Sequence, residues 1–153
     1  MTTRWMDSPV GGLRIHTHDG YLTRLDFDAE PRGTRASDTV ADAAESQLAE
    51  YFAGERTEFD LPLRPDGTDF QRAVWQQVQR IGWGQTASYG DIARSLGYEP
   101  GVSRAVGAAN GANPIPIVIP CHRVIGANGA LTGYSGGVER KTALLTLETP
   151  GLF

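Results

Sequence analysis

The stretch Ile115-Pro116-Ile117-Val118-Ile119-Pro120-Cys121-His122-Arg123-Val124 holds the only cysteine of the 153-residue chain. An apolar, β-branched run, with Pro114 just before it, leads into a thiol that is followed by an imidazole and a guanidinium. The composition of Ile117 to Ile119 predicts a short buried strand. Pro120 lacks a backbone donor and stops that strand, so Cys121 opens a sharp, non-repeating segment. A thiol beside a base and a cation is set up to react; taken alone, the pair fits a core cysteine better, since free cysteine is among the most buried residue types.

Outward from this stretch the chain reads in two parts. Upstream, Ser88-Tyr89-Gly90-Asp91 has capping-box spacing and predicts a short helix to about Leu96. Gly97 to Gly101 is a turn, and a second helix follows from about Val102 to Asn110. Helix, glycine-containing turn, helix is the helix-turn-helix pattern. The second helix, Arg104-Ala105-Val106-Gly107-Ala108-Ala109, has low surface relief, which suits either tight core packing or close approach to a groove. Further upstream, Thr68 or Asp69 caps a helix with the stripe Phe70, Val74, Trp75, Val78. Downstream, Gly126 to Gly129 predicts a hairpin turn. Glu139 to Leu147 predicts a last helix, with Glu148 at its end, where the helix dipole disfavours an acid unless it has a cationic partner or a task.

The front of the chain differs. Leu13 to Thr17 and Tyr21 to Phe27 alternate around Asp19-Gly20, a strong hairpin signal. A helix from Thr39, capped by Asp38 or Thr39, buries Ala44, Leu48, Tyr51 and Phe52 and ends at Gly54. Glu58 to Leu61 predicts a further strand. Pro62-Leu63-Arg64-Pro65-Asp66-Gly67 is punctuated as a boundary. This divides the chain into an N-terminal α/β domain (1–62), a linker (63–67) and a C-terminal domain (68–153). His16 and His18 share a strand face, but two ligands without further Cys or His do not make a metal site.

Net charge is −4 with neutral histidines. Residues 1–66 hold 7 Arg against 13 Asp/Glu, whereas residues 67–153 hold 6 Arg and 1 Lys against 5 Asp/Glu, so the back half is the one able to approach phosphates. Met1 to Val10 shows no secretory h-region, and no apolar run approaches a membrane span. One cysteine excludes an internal disulfide, and a reducing cytoplasm is expected.

Pro120-Cys121-His122-Arg123-Val124 resembles the signature of the O6-alkylguanine-DNA alkyltransferases. Ser88-Tyr89-Gly90, Ser103-Arg104-Ala105-Val106-Gly107, Asn113-Pro114, Tyr134-Ser135-Gly136-Gly137 and Glu148 match that family in order and spacing. Ser8-Pro9-Val10-Gly11-Gly12 and the Asp19-Gly20 hairpin are similar to its short bacterial members. The resemblance implies an α+β protein, with a small ribonuclease H-like sheet-plus-helix domain followed by a mainly helical, winged helix-turn-helix-like DNA-binding domain that carries the cysteine. It implies irreversible, single-turnover transfer of the alkyl group of flipped-out O6-alkylguanine, with O4-alkylthymine left open, onto Cys121.

The resemblance also assigns roles. His122 would act through a water as base, Glu148 would orient it, and Asn113 would bridge the recognition helix and the active-site strand. Arg104 would fill the space of the flipped base, and Tyr89 would turn the neighbouring phosphate and meet the base at N3. Ser103, Ala105, Gly107 and Ala108 would line the minor groove. Val124, Tyr134, Ser135 and Gly136 would line the base pocket, with the Cys121 and Val124 carbonyls accepting from the exocyclic amine. Arg123 would hold the loop rather than do chemistry. No cofactor, metal or membrane is implied, and a monomer acting on double-stranded DNA is expected. Two other readings compete: a lesion-binding alkyltransferase-like module without transfer, and a cysteine hydrolase using Cys121, His122 and Glu148.

Overall fold

A computed structural model describes residues 1–32, 36–131, 134 and 136–150. The chain divides into two compact units, Met1–Asp66 and Gly67–Phe153.

In the first unit, strands β1 (Thr2–Met6), β2 (Leu13–His18) and β3 (Tyr21–Asp26) form an antiparallel sheet in that order. The Asp19-Gly20 turn joins β2 to β3, with both residues at positive φ, as a tight two-residue hairpin demands. Leu13, Ile15 and Thr17 alternate inward from β2. On β3 the buried residues are Leu22 and Leu25, three apart, because the register slips by one residue opposite His16 and Thr17. Helix α1 (Thr39–Phe52) covers the sheet with Ala41, Ala44, Leu48 and Tyr51. Phe52, expected in that buried stripe, is half-buried.

Strand β1 has no counterpart in the sequence reading, because its core-facing position 4 is an arginine. Arg4 is 4% exposed; Asp42 at 2.8 Å and Glu45 at 2.9 Å, both on α1, neutralise it, and the Ala36 carbonyl accepts at 2.8 Å. The strand expected at Glu58 to Leu61 does not form. The Gln47 side chain takes both main-chain groups of Asp60, donating to its carbonyl at 3.0 Å and accepting from its N–H at 2.9 Å. Only Leu63 bridges β3, through Leu22. His16 pairs with Asp26 at 2.8 Å and His18 with Asp19 at 3.3 Å.

The second unit is mainly helical. Helix α2 (Asp69–Val78) starts at a reciprocal capping box between Thr68 and Gln71. Helix α3 (Tyr89–Ser95) starts at the expected one between Ser88 and Asp91. Gly97, at positive φ, ends the turn of α3, a short 3₁₀ segment (Pro100–Val102) follows, and α4 (Ser103–Gly111) completes the helix-turn-helix. The Trp75 indole donates to the Ala109 carbonyl at 2.8 Å and so fixes α4 on α2. Strand β4 (Ala87–Ser88) pairs in parallel with β5 (Val124–Ile125). Helix α5 (Val138–Glu148) buries Lys141, Leu144, Leu145 and Glu148. Residues 126–130 turn as expected, Gly126 N–H donating to the Ala130 carbonyl at 2.9 Å.

Ile117 to Ile119 is buried as expected, but it is not a strand. Pro114, Pro116 and Pro120 cannot donate to a ladder, so the segment satisfies itself with tight turns. Val118 N–H donates to Pro116 O at 2.8 Å, Ile119 N–H to Ile115 O at 2.9 Å and Cys121 N–H to Ile119 O at 2.7 Å. The first of these closes a γ-turn that puts Ile117 at φ +73, a rare conformation for a β-branched residue.

The cap of α1 makes a direct test of the first unit. Asp38 accepts from Ala41 N–H at 2.8 Å and from the Thr17 hydroxyl at 3.0 Å, which ties the helix start to β2. Asp38→Ala is expected to cost about 1 kcal/mol, seen as a fall in Tm of ~3 °C. An unchanged Tm would mean that neither contact contributes.

Candidate active site

Cys121, His122 and Arg123 form one turn of 3₁₀ helix directly after Pro120, and Val124 N–H closes it on the Cys121 carbonyl. The turn presents two side chains to the end of α5. His122 Nε2 lies 2.7 Å from Glu148 Oε2. Arg123 Nε and Nη2 donate to the two oxygens of the same carboxylate at 2.8 and 3.0 Å, and Nη1 donates to the Ile81 carbonyl at 2.6 Å. Glu148 therefore has the cationic partner that its helix-terminal position called for. Arg123 forks onto it bidentately, the geometry for which a guanidinium is suited.

The pair fixes the histidine tautomer. A carboxylate only accepts, so the proton sits on Nε2 and Nδ1 carries the lone pair. Nδ1 is buried with no hydrogen-bond partner among the described residues. Burial holds the imidazole's pKa down, outweighing the opposing pull of Glu148. A neutral histidine with a free basic nitrogen is thus held beside the cysteine.

Cys121 is 2% exposed, and burial pushes its thiol up to about 11. Asn113, as hydrogen-bond donor, and the Lys141 charge act in the opposite direction but do not overcome desolvation. At neutral pH the resting sulfur therefore keeps its proton, and ionisation needs a base at the moment of reaction, the part expected of His122.

Helix α4 carries the other half of the site. Its inner face buries Val106, Ala109 and Asn110, with Asn113 just beyond its end. Asn113 Nδ2 donates to the Ile119 carbonyl at 2.8 Å, and its Oδ1 accepts from Ile115 N–H at 2.9 Å. The outer face exposes Arg104, Ala105 and Ala108, with Ser103 half-buried. Gly107 lies against Tyr89: a Cβ there would stand 3.7 Å from the ring. Val124 and Tyr134 are buried and Gly136 is half-buried; Ser135 lies outside the described residues.

Two participants were not singled out from the sequence. Lys141 is fully buried, and its Nζ donates to the Val124 carbonyl at 2.6 Å. It is the chain's single lysine and sits within the apolar spacing of α5, which is a legible signal. Asn110 Nδ2 donates to the Cys121 carbonyl at 3.2 Å. Nothing in the sequence links positions 110 and 121.

A lone cysteine with a histidine and an acid behind it, in the unit that also carries a helix-turn-helix, is the arrangement expected of a protein that acts on DNA with its own thiol. The profile of the 6-O-methylguanine DNA methyltransferase ribonuclease-like domain matches residues 1–65, and that of the family's DNA binding domain matches residues 69–150. The methylated-DNA–protein-cysteine methyltransferase of Mycolicibacterium paratuberculosis is 53% identical over 151 residues, 95% of this chain and 90% of its own length. The constitutive enzyme of that name from Bacillus subtilis is 46% identical, over 93% of this chain and 92% of its own. The structure of Mycobacterium tuberculosis OGT in complex with DNA superposes with a TM-score of 0.86 at 50% identity, covering 95% of this chain and 91% of that one. The chain belongs to the 6-O-methylguanine DNA methyltransferase family.

The raised thiol pKa has a consequence for stability. The folded chain holds the Cys121 proton more tightly than an unfolded chain, where a thiol titrates near ~8.5. This contribution is complete below that value and is lost as pH rises towards the folded value of about 11. Thermal unfolding followed from about pH 8 to about pH 11 should show a shallower decline for Cys121→Ser than for the parent. Parallel declines would show that the sulfur is not shielded.

Proposed function

We propose that this protein repairs O6-alkylguanine in DNA by moving the alkyl group onto Cys121 Sγ. The observation that supports the mechanism is the His122–Glu148 pair directly after Cys121, in which the carboxylate accepts from Nε2–H and leaves Nδ1 basic, available to take the thiol proton through a water. With a flipped-out base in the pocket, the proton passes from Sγ through a water to Nδ1. The imidazolium is then held by Glu148, whose second oxygen stays on Arg123. The thiolate attacks the alkyl carbon in line with the C–O6 bond. The S–C bond forms, the C–O6 bond breaks, and the electron pair leaves on guanine, which takes up at O6 or N1 the proton that Nδ1 returns through the water. The family resemblance assigns the donor to the leaving O6 to Ser135 and the donor to N3 to Tyr89. The product is a thioether that water cannot displace, so each molecule acts once.

A stacked base is out of reach, so it must leave the duplex. The outer face of α4 supports entry into the minor groove, because Ala105, Ala108 and the glycine at 107 let the helix backbone lie close, while exposed Arg104 takes the place of the base. Degenerate readout in that groove suits an activity that follows damage rather than sequence. The M. tuberculosis protein solved with DNA supports duplex DNA as the partner. We further infer a monomer acting in the cytoplasm; no helix among the described residues is long and apolar enough to cross a membrane.

Intact-protein mass after incubation with a duplex bearing one O6-methylguanine tests the reading. A single methyl added at Cys121, with no second turnover, is expected, and Cys121→Ala should add nothing while still binding DNA. Binding without a mass change would favour a lesion-binding module, and repeated turnover a hydrolase. Arg104→Ala should slow repair of the duplex about tenfold or more, yet react nearly normally with free O6-benzylguanine. Equal losses on both substrates would remove its role in flipping.

A further inference from the structure

We propose that Asn110 is a positioning residue, which ties the Cys121 peptide directly to the recognition helix and holds the sulfur in its line of attack. The inference rests on the transfer reading above and adds to it a residue outside the acid–base chain.

Asn110 is 1% exposed on the inner face of α4, among Val106 and Ala109. Its Nδ2 makes one hydrogen bond, to the carbonyl of the nucleophile's own residue, 3.2 Å away. Its Oδ1 is buried with no partner among the described residues. A buried amide left half-satisfied costs about 1–3 kcal/mol. A leucine would fill the same space on an apolar face without that penalty, so as packing alone the residue is a poor choice. What it supplies is a second tie between α4 and the active-site loop, one turn from Asn113. The two ties differ in where they act. Asn113 binds the main chain at Ile115 and Ile119 and donates to the thiol itself. Asn110 binds the nucleophile's own peptide group.

The Cys121 carbonyl also accepts the Val124 N–H that closes the 3₁₀ turn. It therefore has two donors already, before the exocyclic amine of a bound base is counted. The plane of the 121–122 peptide is fixed from two directions, by the turn and by α4. Rotation of that plane swings the Cα–Cβ bonds of Cys121 and His122 together. With Asn110 absent, the turn hydrogen bond remains and the carbonyl is not orphaned, so folding loses little. The sulfur, however, loses the restraint that transmits the position of a DNA-docked helix to the reacting atom.

The test uses the full chain with a saturating duplex carrying O6-methylguanine. Asn110→Leu should keep Tm within about 2 °C of the parent. It should bind DNA with unchanged Kd, yet transfer about tenfold or more slowly in the first-order step. A rate within twofold of the parent overturns the proposal, as does a slower rate that appears only together with a large fall in Tm or a weaker Kd, the pattern of a structural residue. Asn110→Asp adds a second readout. Only its protonated carboxyl can donate to the Cys121 carbonyl, so its rate relative to the parent should climb as pH falls from about 8 to about 5.5, while that of Asn110→Leu stays level. Equal pH responses of the two variants also overturn it. If the parent itself fails to take up the methyl group, the proposed function falls; if the parent reacts and the variants behave as structural ones, only this inference does.

Discussion

The carboxylate of Glu148 is the fixed point of the second unit. It closes α5 against the 3₁₀ turn that carries the nucleophile, and it does so through two different bases at once. Arg123 neutralises it and forks onto both oxygens, which is what permits a charged group to stand 5% exposed in an apolar interior. The same carboxylate takes the Nε2 proton of His122 and leaves Nδ1 basic. A histidine in the opposite tautomer would present a donor to the thiol and could not act as its base. Structure and chemistry thus depend on one contact, and Arg123, which touches no reacting atom in this arrangement, is what makes that contact tolerable.

Burial of the sulfur gives the protein a resting state unlike that of an exposed reactive thiol. Held at about 11, Cys121 is a poor nucleophile towards whatever small electrophile reaches it. A protein that reacts once and is then spent gains from such restraint, because every adventitious alkylation removes a molecule from service. The desolvation that silences the free thiol also strengthens every electrostatic interaction within the site. Lys141, drawn inward to the Val124 carbonyl, adds a positive field in the same region, offset by its own burial.

Helix α4 separates two tasks by face. Outward it is nearly featureless apart from Arg104. Inward it holds the loop of the nucleophile through Asn110 and Asn113, and Trp75 braces it from behind. A single element therefore joins the face proposed to meet DNA to the loop that carries Cys121. The three prolines of the loop belong to the same design: by withholding backbone donors they deny the segment a sheet partner, and the asparagines add their bonds at the Ile119 and Cys121 carbonyls.

The sequence by itself determined the elements whose causes are local. The Asp19-Gly20 hairpin, the Ser88-Asp91 capping box, the glycine-punctuated turn before α4 and the family motif around Cys121 are written within a few residues of where they act, and they carried the fold and the chemistry. Where a long-range partner outweighs local propensity, only the tertiary structure decided. Arg4 enters a strand because α1 brings two carboxylates to meet it. Residues 58–61 are no strand because Gln47, remote in sequence, takes up the groups of Asp60. Ile117 to Ile119 read as a strand from β-branched composition, yet proline chemistry and Asn113 fold it into turns. The sulfur's resting charge and the bond from Asn110 to the nucleophile's carbonyl follow from burial and proximity, and those arise only when segments far apart in the chain pack together.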